Sequence, residues 1–367
     1  MKVGNRHYRS LWADPSGLSV QIIDQTRLPH VFETRTIASV DAMAEAITAM
    51  RVRGAPLIGV AAAFGLALAA ARDASDDSIS RASAQLRATR PTAVNLAWAI
   101  GRMRERMAAT PLPDRARAAW AEAQAIADED VALNEAIGRN GLAILEHEYA
   151  ARKRRINILT HCNAGWIATV DWGTVTAPIF MAHDRGIPVH VWVDETRPRN
   201  QGLLTAWELA QHGVPHTLVV DNAGGHLMQR GQVDMVLVGA DRVSRRGDVC
   251  NKIGTYLKAL AARANDIPFY AAVPTPTIDW LIDDGSQIPI EQRPEDEVRV
   301  VRGLDAEGRF SHVTIAGPAT AVANPAFDVT PASLVTGIIT ELGVARALER
   351  ELLAFWPRQQ ESKAYLT

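Results

Sequence analysis

From Ile156 onward the chain repeats one pattern, and few architectures accommodate it. Short continuous apolar runs, INILT (156–160), VHVWV (189–193), TLVV (217–220), MVLV (235–238), FYAAV (269–273) and HVTIA (312–316), alternate with segments of helical spacing. A strand that is apolar on both faces needs cover on both faces. Such strands, joined by helices, form a parallel sheet between two helical layers. The fold class read here is therefore α/β.

The residues before Ile156 have another texture. DAMAEAITAM, the alanine-rich run Ala55 to Ala71, DDSISRASAQLRA, VNLAWAIGRMRERMAA and a long stretch from about 115 to 154 follow one another as helices. Gly138 and Gly141 weaken the last of these locally. VQIIDQTRLPH, nearer the start, reads as a small β piece packed on the helices. The expected division is a mainly helical N-terminal domain over 1–125, a connecting helix over about 115–154 and a sheet domain over 155–367. A length of 367 residues fits two domains at roughly 150 residues each. The alanine-rich run is about as long as the shortest membrane spans, but Gly59 and Gly65 interrupt it and Arg53 and Arg72 bracket it. A tightly packed core helix is the expectation, with no membrane partner. A net charge of -2 gives no electrostatic footing for nucleic acid. MKVGNRHYRSLW lacks the apolar core of a signal peptide, and two cysteines make no disulfide framework, so the expected compartment is the cytoplasm.

In open parallel sheets, ligands bind beyond the carboxyl ends of the strands. Those ends carry His161-Cys162-Asn163-Ala164-Gly165, Asp194-Glu195-Thr196-Arg197-Pro198, Asp221-Asn222, Gly239-Ala240-Asp241-Arg242 and Pro274-Thr275. Cys162, at a strand-to-helix turn, is expected to face a helix N-terminus that lowers its pKa. A nucleophile, a general acid and a general base all fit it, as does a small buried hydrophobe. Asp241 is expected to be either desolvated, with a raised pKa, or paired with Arg242. Asp194 and Asp221 occupy equivalent positions and are not separable from it here.

Anion binding has three candidate positions. Arg53-Gly54-Ala55-Pro56 opens the alanine-rich helix, where free N–H groups and the arginine suit a phosphate. Arg90-Pro91-Thr92 precedes another helix. Asn251-Lys252-Ile253-Gly254 is read as starting a third, with a cation and an amide suited to sugar oxygens. Neither GxGxxG nor a Walker-type loop occurs, which disfavours dinucleotides and nucleoside triphosphates. The ten histidines make no HxH or HExxH spacing and the cysteines no CxxC, so neither metal nor cofactor is expected. Trp166, Trp172, Trp192 and Trp207 read as core.

Taken together, IDQTRLPH, VRGAPLIGVAAAFG, RPTAVNLAWAI, LTHCNAGWIATVDWGT, VWVDETRPRNQG, MVLVGADRV, NKIGTYLKALAA, and IPFYAAVPTPTIDW with IPIEQR resemble the methylthioribose-1-phosphate isomerase family of methionine salvage. That family is related to the alpha, beta and delta subunits of eukaryotic initiation factor two-B. The resemblance covers nearly the whole chain. It implies a helical N-terminal domain, a Rossmann-like C-terminal domain and a homodimer. It also implies catalytic roles for Cys162 and Asp241, and substrate contacts from Arg53, Gly54, Ala55, Arg90, Gln201, Asn251 and Lys252. Gln201 is reached only this way. Trp166-Ile167 and Val170-Asp171-Trp172 bring bulk and charge beside HCNAG, and are expected to shape the wall at the 5-substituent.

The implied reaction is aldose–ketose isomerisation of 5-methylthioribose 1-phosphate to 5-methylthioribulose 1-phosphate by a cysteine–carboxyl acid/base pair. Isomerases of 5-deoxyribose 1-phosphate or ribose 1,5-bisphosphate share the same chemical need. A non-catalytic regulatory subunit would not require both Cys162 and Asp241, and a cysteine hydrolase would leave the phosphate segments idle. Proton and hydride transfer both remain open, a drier site favouring hydride.

Overall fold

The computed structural model describes residues 1–91 and 93–355. Thr92, and residues 356–367 at the end of the expected sheet domain, lie outside these. The chain opens with a short hairpin, β1 (Lys2–Val3) and β2 (Arg6–His7). An antiparallel sheet follows from β3 (Leu11–Ala13), β4 (Val20–Ile23) and β5 (Thr34–Ile37). Its inner residues Leu11, Val20, Ile22 and Ile37 join the core of the helices, as expected of VQIIDQTRLPH.

Four helices come next: α1 (Val40–Thr48), α2 (Ala55–Arg72), α3 (Asp76–Thr89) and α4 (Val94–Ala108). Ser39 caps α1 by accepting from the Ala42 amide, and Ser75 caps α3 by accepting from that of Ser78. Helix α2 is long and apolar enough to cross a membrane by length and composition, yet 78% of it is buried inside the protein. Its small residues allow that. A Cβ on Gly59 would lie 2.8 Å from the Asn95 carbonyl oxygen of α4. Helix α5 (Arg115–Arg152) is 38 residues long, about 57 Å at 1.5 Å per residue. Its first half packs on α2 and α4, and its second half packs on the sheet layer. Gly138 and Gly141, read as weak points, are places of close approach. A Cβ on either would lie 2.8 Å from the helix in front of it, against Ala177 or Pro178.

The sheet half is a doubly wound layer. Its elements are β6 (Ile156–Thr160), α6 (Thr176–Asp184), β7 (Val189–Asp194), α7 (Gly202–His212), β8 (His216–Val219), α8 (Ala223–Gln229) and β9 (Met235–Val238). After β10 (Arg242–Ser244) and β11 (Val249–Lys252) come α9 (Thr255–Ala264), β12 (Phe269–Ala272) and β13 (Ile278–Asp279). The chain then runs through α10 (Asp296–Arg299), β14 (Val300–Leu304), β15 (Phe310–Thr314), β16 (Phe327–Thr330), β17 (Gly337–Thr340), β18 (Gly343–Ala345) and α11 (Glu349–Leu352). The main sheet has the order β18-β17-β12-β9-β6-β7-β8. All neighbours are parallel except β18, which closes one edge antiparallel to β17. Counted in chain order, the parallel strands run 3-2-1-4-5-6, the doubly wound order. The two-residue period shows in β9: Met235 and Leu237 enter the core beneath α5, α6 and α7, while Val236 and Val238 enter the one beneath α8 and α9.

One expected strand is displaced. HVTIA does not enter the main sheet: its first residues belong to β15, which pairs with β14 in an exposed antiparallel hairpin. The sixth parallel strand is β17, whose sequence GIIT is shorter and starts with glycine. A β-branched run reports strand preference, not burial.

Candidate active site

The sheet order places a crevice between β6 and β9, where the winding reverses direction. Cys162 leaves the end of β6 and Asp241 follows the end of β9. The heads of α2 and α7, the α3–α4 turn and the second sheet, ordered β13-β10-β11-β16, close around them. All nine expected site residues, Arg53, Gly54, Ala55, Arg90, Cys162, Gln201, Asp241, Asn251 and Lys252, line this one cavity.

Cys162 departs from expectation in its surroundings. The residues after it turn through a short 3-10 segment, Trp166–Ala168, and α6 begins only at Thr176. The helix that follows β6 therefore does not begin at the thiol. Burial raises its pKa above the ordinary value, Lys252 and Arg53 pull it down, and Asp241 adds to the rise. The Cys162 backbone is left-handed, with φ 70°. Two hydroxyls hold it there: its N–H donates to Thr196 Oγ1 at 2.8 Å, and its carbonyl accepts from Thr205 Oγ1 at 2.8 Å. Such a conformation costs on the order of 1 kcal/mol or more for a residue with a Cβ. The thiol is free. His161, its neighbour, has both ring nitrogens engaged elsewhere, with Asp194 at 2.9 Å and the Ile253 carbonyl at 2.8 Å.

Asp241 is desolvated, as one of the two expectations held. Burial raises its pKa, while Lys252, Arg90 and Arg53 oppose the rise and Glu291 adds to it. Arg242 forms its ion pair with Asp279, at 3.4 Å. The other strand-end carboxylates now separate from Asp241. Asp194 is buried beneath the site, bonded to His161 and 3.3 Å from Lys258 Nζ. Asp221 accepts the backbone N–H groups of Thr196 and Arg197 at 2.7 and 2.8 Å. Both hold the loop that holds Cys162. Among the described residues, His161, Asp194 and Asp221 form the one three-residue set with metal-ligand spacing. The Lys258 ammonium already supplies positive charge to it.

Two of the cations, Arg53 and Arg90, come from the helical half. Gly54, with φ 99°, brings the chain so close to the loop after β6 that a Cβ would lie 2.4 Å from the Ala168 carbonyl oxygen. Ala55 and Pro56 start α2 beside it. Arg53 is bonded through Nη2 to Asn163 Oδ1, and its Nε has no hydrogen-bond partner. Burial pushes its pKa down, against the pull of Cys162, Glu208 and Asp241. Arg90 Nη2 lies 3.8 Å from Glu291. Asn251 and Lys252 do not begin a helix. They end β11, whose pairing with β16 runs through Lys252↔Phe327, and α9 starts at Thr255. Lys252 Nζ sits 4.6 Å over the Phe327 ring. Gln201 precedes α7, buried, with Oε1 unpartnered.

The bulky segment after HCNAG faces away from the cavity. Trp166 is 1% exposed, its ring 5.9 Å from that of Trp207. Val170 enters the helical core, Trp172 packs in the sheet core, and Asp171 binds the Met1 amine and His7 Nε2, each at 2.6 Å. The wall there is Ala164, Ala168, Thr169 and Thr174. The expectation that Trp166 and Trp172 shape it is corrected, because the apolar core outcompetes the cavity for indole rings. Met50, Ile288 and Phe327, none of them expected, also line the cavity, and Glu208 lies behind it, bonded to Asn163. Ile288 lies within IPIEQR, a motif quoted but assigned no role. Phe327 carried no local signal.

The chain is similar to known proteins along nearly its whole length. Residues 51–347 match the model of the initiation factor 2 subunit family. Methylthioribose-1-phosphate isomerase of Rhodospirillum centenum is 58% identical over 99% of this chain and 98% of its own. The crystal structure of 5-methylthioribose 1-phosphate isomerase from Pyrococcus horikoshii OT3 superposes with a TM-score of 0.83 at 42% identity, covering 96% of this chain and 97% of that one. The translation initiation factor eIF-2B, subunit delta, from A. fulgidus superposes at 0.79 with 37% identity over 95% of this chain and 100% of its own.

Proposed function

Since the chain belongs to the initiation factor 2 subunit family, and within it to the methylthioribose-1-phosphate isomerases, we propose that it isomerises 5-methylthioribose 1-phosphate to 5-methylthioribulose 1-phosphate in methionine salvage, with Cys162 and Asp241 as acid/base pair. One observation carries this reading: a thiol and a carboxyl from the two strands flanking the switch point share a buried cavity with Arg53, Arg90 and Lys252.

The substrate's anomeric oxygen carries the phosphate, so its ring cannot open as a free sugar does. A proton goes to the ring oxygen as the C1–O bond breaks. The C2 hydrogen passes to C1, and the C2 hydroxyl gives up its proton to become the ketone. One proton enters and one leaves, so a single acid/base pair returns to its starting state. Burial holds both Cys162 and Asp241 towards their protonated forms, and the surrounding cations moderate both. Arg53, Arg90 and the backbone of Gly54 and Ala55 hold the phosphate. Lys252, Asn251 and Gln201 hold sugar oxygens. Met50, Ile58, Val273, Ile288 and Phe327 make much of the lining apolar, which supports hydride transfer between C2 and C1. The enzyme works without cofactor as a cytoplasmic homodimer, and its two domains, 1–125 and 155–367, are joined by α5.

A cysteine hydrolase reading loses support because His161 has both nitrogens turned to other partners. The test is a turnover assay with methylthioribose 1-phosphate, 5-deoxyribose 1-phosphate and ribose 1,5-bisphosphate. Turnover of the first is expected, and equal turnover of the second would make the enzyme dual-purpose. No turnover of any would leave the regulatory-subunit reading.

A further inference from the structure

Helix α7 buries a polar stripe. Gln201, Thr205 and Glu208 follow at i, i+4 and i+7 along one side, and are 7%, 2% and 0% exposed. Buried polar groups need partners, and Thr205 and Glu208 find theirs in the loop after β6. Asn163 is the junction. Its Nδ2 donates to Thr205 Oγ1 at 3.1 Å and to Glu208 Oε1 at 3.3 Å, and its Oδ1 accepts from Arg53. Thr205 Oγ1 spends its own proton on the Cys162 carbonyl, so towards Asn163 it can only accept. With two acceptors facing Nδ2, the amide must present its oxygen to Arg53. Glu208 Oε1 also accepts from the Ile167 N–H at 3.0 Å. Its Oε2 has no hydrogen-bond partner and fills the space a Cβ on Gly165 would take, 1.5 Å away.

We propose that Glu208 is a positioning residue: through Asn163 it sets how firmly Arg53 grips the substrate phosphate, and it is coupled to phosphate binding through its own protonation. This rests on the isomerase reading for the identity of the anion. The charged groups facing Glu208 are Arg53, at the head of α2, and the Met1 amine beside β1. The loop after β6 faces it with uncharged groups only, the Asn163 amide and the backbone of Trp166 and Ile167. Burial pushes Glu208 up to about 7, against the hydrogen bonds from Ile167 and Asn163 and the charge of Arg53. As pH rises through that value the carboxylate ionises, competes with the phosphate for Arg53 and repels it. By reciprocity, an anion bound at Arg53 draws a proton onto Glu208.

The test compares wild type, Glu208→Gln and Glu208→Ala from pH 6.5 to 8.5. The readouts are KM for methylthioribose 1-phosphate and Kd for inorganic sulfate, a dianion throughout that range. Glutamine keeps an acceptor for Ile167 and Asn163 but cannot ionise. Wild-type binding should weaken by about fivefold or more across the range, the low end of coupling between neighbouring sites. Glu208→Gln should change by less than about twofold, and Glu208→Ala should raise KM more than it lowers kcat. A Glu208→Gln profile that superposes on the wild-type one overturns the proposal even if Glu208→Ala fails to fold. The sulfate arm needs no turnover, so a wild type without isomerase activity defeats the functional reading and leaves this one to the sulfate profiles.

Discussion

The two walls of the cavity are built by different means. The sheet wall presents Cys162 and Asp241 from the ends of adjacent parallel strands, on backbone fixed by strand pairing and by the hydroxyls of Thr196 and Thr205. The helical wall presents Arg53 and Arg90 at helix ends, joined to the sheet half at the site by the close approach of Gly54 to Ala168 and by the bond of Arg53 to Asn163. Groups that move protons need fixed geometry within tenths of an ångström, and strand ends supply it. Groups that hold a charged phosphate act over longer distances and tolerate a looser mounting. Changes in the sheet wall should therefore lower kcat, and changes in the helical wall should raise KM.

The largest effect falls on the sheet wall. Asp241→Asn and Cys162→Ser should each lower kcat by roughly a hundredfold to ten-thousandfold, the usual contribution of a general acid or base, with little change in KM. A kcat near wild type in either would break the contrast. On the helical wall, Arg53→Ala should raise KM by up to roughly a hundredfold, the worth of a hydrogen bond to a charged group, with kcat less affected. An unchanged KM would reject the phosphate assignment.

Thiol titration sharpens the comparison. Because burial raises the Cys162 pKa, alkylation by iodoacetamide should have its midpoint above the free-thiol value of about 8.5. Lys252→Met removes a cation that favours the thiolate and should move that midpoint higher still. A last effect, away from the cavity, is on stability. Burial holds Asp130, on α5, up at about 7 while it accepts from the Val170 N–H at 2.7 Å. An acid whose folded pKa is raised stays protonated in the fold after the unfolded chain has ionised. Stability should therefore fall as pH rises from about 4 to about 7. Thermal unfolding of Asp130→Asn should show a shallower slope over that window, and an equal slope would reject the assignment.

Much of this was legible in the sequence because the physics is local. Five apolar runs gave the parallel strands nearly to the residue, and their polar ends gave Cys162 and Asp241. The Gly54-Ala55-Pro56 start signalled its helix directly. Other features depend on distant partners. Asn251 and Lys252 are strand residues because β16 pairs with them from more than seventy positions away. Cys162 lacks its expected helix because the chain turns again at Trp166–Ala168, and its pKa then follows burial. Asp194 and Asp221 were inseparable from Asp241 until Lys258 and the amides of Thr196 and Arg197 appeared beside them. Glu208 lay in an ordinary amphipathic stretch, and only the fold shows what it faces.

The proposed mechanism has Cys162 and Asp241 act in one proton exchange. A double-mutant cycle on kcat with Cys162→Ser, Asp241→Asn and the double variant tests it most directly. If the two residues serve one step, the double variant loses no more than about threefold beyond the poorer single variant, because residues acting as a unit are strongly non-additive. Losses that multiply would show two independent contributions and contradict the pairing.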